Sequence, residues 1–115
     1  MKDNRPLCRL EDIPECGTLA LPPLPGEVDG LFAFRRGEQV LIYVNACPHL
    51  GVSLDWMPGA FLSSDKTHFV CAMHWAKFDI ETGHCFDGPC AGEHLKSVPF
   101  VLQDGVISVT FGTLI

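Results

Sequence analysis

An all-β fold is what this sequence predicts, and three observations predict it. The 115 residues include 11 Gly and 9 Pro, a density that favours turns and short strands over long helices. The apolar residues fall in short β-prone runs separated by Gly, Pro, Asn or Asp. No stretch carries a sustained helical period; "SLDWM" at residues 53–57 is the one place where a short helical turn is expected.

The elements follow in order. "PLCRL" reads as a first short strand, ended by the turn "EDIPECG". "TLAL" reads as a second strand, and "PPLPGEVDG" as a Pro/Gly connection. "LFAF" and "QVLIYVN" are joined by "RRGE" and form an expected hairpin. "FLSS" and "THFVC" flank a turn at Asp65-Lys66. "AKFDIETG" is a strand ending in a Gly turn. "VPFVLQ" and "VISVTF" are split by Asp104-Gly105, the dipeptide best suited to a tight hairpin that matches strand twist.

The length suits one domain, residues 1–115, able to bury about two-thirds of its unfolded surface. With 47% apolar and 19% charged residues, the composition is that of an ordered globular chain. The net charge of -6 disfavours nucleic acid and anionic lipid and suits a partner with a basic face. The first residues show no signal-peptide pattern, and no apolar run reaches the ~20 residues of a membrane span. The expected location is cytoplasmic. In that compartment six cysteines read as metal ligands and thiols, not as a disulfide framework.

Two short stretches carry the chemistry. "ACPHLG" places Cys47 and His49 two apart, after the strand ending near Val44 or Asn45. "VCAMHW" places Cys71 and His74 three apart, after the strand ending at Val70. Loops at strand ends of a small sandwich can face each other, so the two pairs can form one four-ligand site. Two thiolates and two imidazoles admit a tetrahedral Zn²⁺ or a two-iron, two-sulfide cluster in which histidines replace two cysteines on one iron. Zinc sites usually pair Cys with Cys and His with His, whereas each loop here mixes the two types. Mixed pairs fit a two-iron object better, because each loop can send one ligand to each iron.

The run Cys47-Pro48-His49-Leu50-Gly51, followed after residues 52–70 by Cys71-Ala72-Met73-His74, closely resembles the two boxes of the Rieske iron-sulfur family. "GPCAG" at residues 88–92 resembles that family's proline loop, and Thr82-Gly83 also agrees. The spacer between the boxes is slightly longer than in many Rieske ferredoxins, which reads as a longer hairpin around residues 56–68. The resemblance implies a Rieske-like small β-sandwich with a cluster-binding subdomain at one tip. That subdomain is expected over about residues 46–92, with a base built from about 1–45 and 93–115. It implies one [2Fe-2S] cluster per chain, with Cys47 and Cys71 on one iron and His49 and His74 on the other. Two ferric ions, two sulfides and two thiolates sum to zero charge, so an electron is accepted more easily than by a four-thiolate cluster.

The respiratory branch of the family carries an extra cysteine in each box, and those two form a disulfide. Val52 and Met73 stand at these positions. That branch also has a serine and a tyrosine whose hydroxyls raise the potential; Ala76 and Phe78 stand there instead. The expected potential is therefore in the lower Rieske range, roughly -150 to 0 mV. These departures resemble soluble Rieske ferredoxins and the Rieske domains of oxygenases. The implied role is a one-electron carrier, not an enzyme, taking electrons from a flavin-containing reductase and passing them to a terminal oxygenase or similar enzyme. A monomer is expected. Two other classes are weighed: a redox-sensing or regulatory subunit that holds the same cluster, and a structural zinc module.

The remaining residues have plainer readings. Pro48 stiffens the loop and Gly51 allows close packing. Trp56, Trp75 and Phe86 are read equally as packing residues or as a docking face, and Leu50 is a docking candidate. Cys85 and Cys90 read as reduced thiols in preference to a redox pair or a metal set with His94. Cys8 and Cys16 are structural or incidental, and His68, His84 and His94 are ordinary surface or turn histidines.

Overall fold

The computed structural model describes residues 4–23, 29–46, 54, 61–63, 65–71, 75–88 and 91–110. Nine strands appear among them: β1 (Asn4–Arg9), β2 (Gly17–Leu21), β3 (Leu31–Arg36), β4 (Gln39–Val44), β5 (His68–Val70), β6 (Lys77–Asp79), β7 (Cys85–Asp87), β8 (Val101–Gln103) and β9 (Val106–Thr110). Among the described residues the one helical element is a 3₁₀ turn, Leu10–Asp12. It forms inside the expected turn after β1, where the Asp12 carboxylate accepts the Arg9 backbone N–H at 2.8 Å. The helical turn expected at residues 53–57 lies outside the described residues, apart from Leu54.

The strands form three antiparallel sheets, ordered β1-β9-β8, β2-β3-β4 and β5-β6-β7. The last two are meanders. The first joins the two ends of the chain, with Arg5 opposite Val109 and a bulge between Pro6 and Cys8. Pro6 is tolerated because β1 is an edge strand of its sheet.

β3 reads as a continuous apolar run because it is covered on both faces: Leu31, Phe32, Ala33 and Phe34 are all buried. Alternation then sorts them into two cores. Leu31 and Ala33 join Leu21, Val40, Ile42, Ile107 and Val109, the core shared with β9. Phe32 and Phe34 join Tyr43, Phe61, Phe69, Phe78 and Leu95, the core shared with the β5-β6-β7 sheet. This second core is aromatic: Phe32 stacks on Phe61 at 4.2 Å and meets Phe69 edge-on at 5.0 Å. Each such pair adds about 0.5–1.5 kcal/mol beyond the area it buries.

The turns follow their residues. Arg36 pairs with Gln39 across a two-residue turn whose first position, Gly37, has φ +62°. Asp104 and Gly105 both have positive φ, +53° and +76°, as the tight primed turn requires. The Asp65-Lys66 turn is held by the hydroxyls of Ser63 and Thr67, which donate to Asp65 Oδ1 at 2.6 and 2.8 Å. These bonds hold the Asp65 carboxyl down at about 2.

Three expectations change in detail. Residues 61–63 pair with the β5 segment through single backbone bonds, Val70 N to Phe61 O and Ser63 N to His68 O, and form no named strand. The expected strand at residues 98–103 is shorter: β8 begins at Val101. Residues 96–98 instead bond to the outer edge of β4, with Val44 N donating to Lys96 O and Val98 N to Ile42 O, both at 2.8 Å. Finally, β7 has no counterpart in the sequence reading, because three residues between Gly83 and Gly88 are too few to show a period.

Tyr43 ties β4 to the turn after β6. Its hydroxyl donates to the Ile80 carbonyl at 2.7 Å within the core. Burial, with Asp79 and Glu81 adding negative charge nearby, pushes this phenol up to about 12. The folded value lies above the ordinary value of about 10. Stability from this group is therefore full below about pH 10 and is lost as pH rises through about 12. Tyr43→Phe should remove that alkaline slope and cost about 1–2 kcal/mol at neutral pH, as read by urea denaturation at a series of pH values.

Candidate metal centre

Of the four ligands expected from the sequence, Cys71 lies among the described residues; Cys47, His49 and His74 lie outside them, as do Leu50, Trp56 and Cys90. Both boxes follow the strands the sequence indicated, β4 ending at Val44 and β5 at Val70.

Among the described residues, a hydrogen bond spans the foot of each box. For the second box, Cys71 N donates to Ala76 O at 2.9 Å, between the described residues on either side of it. For the first box, Leu54 N donates to the Asn45 side-chain Oδ1 at 2.8 Å, across the stretch that holds Cys47 and His49. Asn45 is itself set by its backbone N–H, which donates to Gly30 O at 2.8 Å. Leu54 and Cys71 are both fully buried in the aromatic core. Leu54, which follows the first box, and Cys71, which opens the second, thus share one packed cluster. The Asn45 bond is a contact that sequence reading missed. Its signal was available: an Asn directly after a strand and just before the box, suited to bonding a backbone N–H across a loop.

A third loop begins at Gly88. Its φ is +106°, and a Cβ there would lie 2.8 Å from Ala76 Cα and 3.0 Å from Ala76 Cβ. Gly88 therefore packs directly on Ala76, whose carbonyl accepts the Cys71 N–H. Lys77 and Asp87, cross-strand partners, make an ion pair at 3.6 Å beside this contact.

Cys85 is as buried as Cys71 and belongs to the same core. Its Sγ lies 3.3 Å from Asp87 O. His94, exposed, pairs with His84 and not with Cys85. Trp75 and Phe86 are 63% and 51% exposed, so neither is a core residue. The Phe86 ring meets His68 edge-on at 5.7 Å. Among the described residues no group of three or more metal-ligating side chains is found.

The donor chemistry fits a metal cluster. Cys71 offers a thiol at a strand end, shielded from solvent, where a metal-bound thiolate is protected from oxidation and exchange. Among the described residues no helix is long and apolar enough to cross a membrane.

Comparison with known proteins places this arrangement. A search of curated proteins finds no match. Among solved structures, the Sphingomonas yanoikuyae B1 ferredoxin superposes with a TM-score of 0.70 at 22% identity, covering 93% of this chain and 97% of that one. The ferredoxin of carbazole 1,9a-dioxygenase from Nocardioides aromaticivorans IC177 gives 0.70 at 20% identity, covering 92% and 95%. A chain of the complex of reduced oxygenase and oxidized ferredoxin in carbazole 1,9a-dioxygenase gives 0.72 at 21% identity, covering 92% and 91%. At these identities the likeness establishes the shared fold. The family itself follows from the sequence match: residues 6–101 match the Rieske [2Fe-2S] domain, and the chain belongs to the Rieske [2Fe-2S] domain family.

Proposed function

We propose that this chain is a one-electron carrier of the Rieske ferredoxin type, with no substrate bond made or broken by the chain alone. The observation that carries the reading is the family match over residues 6–101, which encloses both Cys/His boxes. The ligands are Cys47, His49, Cys71 and His74, and the [2Fe-2S] cluster, when bound, supplies reversible one-electron storage. Cys71 contributes a buried thiolate. His49 and His74 contribute neutral imidazoles, each with a second ring nitrogen left to hydrogen-bond outward. Asn45 and Ala76 bond across the feet of the two boxes, and Gly88 packs on Ala76.

The division into a cluster-bearing part, about residues 46–92, and a base from the rest belongs to this proposal. So does the oxygenase-type branch, supported by Val52, Met73, Ala76 and Phe78 where the respiratory branch has Cys, Cys, Ser and Tyr. The donor is a flavin-containing reductase and the acceptor a terminal oxygenase, the latter supported by the fold shared with a ferredoxin seen in complex with an oxygenase. The carrier acts as a cytoplasmic monomer. Its net charge of -6 steers it to basic partner faces, so its reduction rate falls as salt rises.

The test is iron and zinc analysis of anaerobically purified protein, with visible and EPR spectra before and after dithionite. The expected result is two irons per chain, as a [2Fe-2S] centre demands, and a rhombic Rieske signal on reduction. A colourless, EPR-silent protein holding one zinc would replace the carrier with the structural zinc module.

A further inference from the structure

Outside the two boxes, His84 and His94 form the closest pair of metal-ligating side chains among those described here. His84 Nδ1 lies 3.3 Å from His94 Nε2, and the ring centroids are 4.8 Å apart. The backbone imposes this approach. Cys85 N donates to Glu93 O at 2.7 Å and Leu95 N to Gly83 O at 2.8 Å, one bond on each side of the isolated bridge between His84 and His94. The two residues are therefore a non-hydrogen-bonded antiparallel pair, the register that brings opposed side chains closest. The next residue along each segment, Cys85 and Leu95, is buried, while His94 is exposed and His84 half-buried.

We propose that His84 and His94 together form a site for a divalent transition-metal ion of the imidazole-binding class, with Zn²⁺ as its representative. Two imidazole nitrogens bound to one tetrahedral Zn²⁺ at about 2.0–2.1 Å must stand about 3.3–3.4 Å apart. The observed 3.3 Å is that spacing. Without metal, one ring N–H donates to the lone pair of the other ring. With metal, both facing nitrogens present lone pairs, and the donating ring carries its proton on its other nitrogen. Both rings stay neutral and no proton is gained or lost. Water completes the coordination.

The ion would clamp the residue that precedes β7 to the backbone at residues 93–95. It would thus stabilise that pairing by binding the folded state alone. The site shares no residue with the four proposed cluster ligands and stands whether or not they hold iron.

The test is isothermal titration of oxidised, iron-loaded protein with ZnCl₂, using wild type, His84→Asn, His94→Asn and the control His68→Asn. Saturable Zn²⁺ binding is expected in wild type and His68→Asn. It should weaken at least about tenfold in His84→Asn and in His94→Asn, the lower end of what losing even an outer-shell partner produces. Zn²⁺ should raise the melting temperature of wild type and of neither variant. Iron content and the visible spectrum should be the same in all four, which separates this site from the cluster. Equal Zn²⁺ affinity in wild type and both variants, or no saturable binding in wild type, overturns the proposal.

Discussion

Replacing Cys71 with serine is expected to abolish iron binding, whereas replacing Cys85 with serine leaves it intact. The comparison is informative because the two side chains share their surroundings. Both are fully buried and both belong to the aromatic core. Each substitution puts a hydroxyl where a thiol packed, at a cost of about 1–3 kcal/mol. In Cys85→Ser the hydroxyl inherits a ready acceptor, since the Asp87 carbonyl lies 3.3 Å from Sγ. If Cys71 is a ligand, its loss also removes one of two thiolates from an iron, which serine does not replace. The expected outcome is below about a tenth of wild-type iron for Cys71→Ser and full iron for Cys85→Ser. Retained iron in Cys71→Ser, with the visible spectrum unchanged, would remove Cys71 from the ligand set.

The second large effect is expected at Gly88. An alanine there must adopt φ +106° and push its Cβ to 2.8 Å from the Ala76 backbone. Backbone strain of this kind costs about 1–3 kcal/mol, and overpacking against a fixed neighbour about as much again. The sum, about 2–6 kcal/mol, is a large part of the stability of a small domain. Because Ala76 O receives the Cys71 N–H, the displacement is transmitted to the foot of the second box. Gly88→Ala should therefore melt at lower temperature and bleach faster in the visible spectrum than wild type. Gly37→Ala is the matched control. Its φ is also positive, +62°, but nothing lies within 4 Å of the added Cβ. It should cost about 1 kcal/mol and leave the bleaching rate unchanged. Equal bleaching of both variants would show that the Ala76 contact does not support the site.

The fold was legible wherever a local pattern sufficed. The β3-β4 hairpin announced itself as two apolar runs around "RRGE", and the β8-β9 turn as Asp104-Gly105. The strand before each box was placed correctly, ending at Val44 and Val70. Other parts escaped because the deciding contact is distant or the segment too short. Strand β7 is three residues between glycines. Residues 96–98 look like the start of β8 but bond to β4, more than fifty positions earlier in the chain. Trp75 and Phe86, open to either reading in the sequence, are exposed.

The order of residues by itself determined the all-β class, the two Cys/His boxes and, through them, the family. Those features depend on residue type and near-neighbour spacing, which a linear chain carries openly. Only the tertiary structure decided that the chain ends meet as β1 and β9, and that Leu54 and Cys71 share one core. It also decided that Gly88 rests on Ala76 and that His84 faces His94 at 3.3 Å. Each of these is a contact between segments whose separation along the chain is unrelated to their distance in space. Packing energy and strand register bring such segments together, and neither is written in any single local stretch.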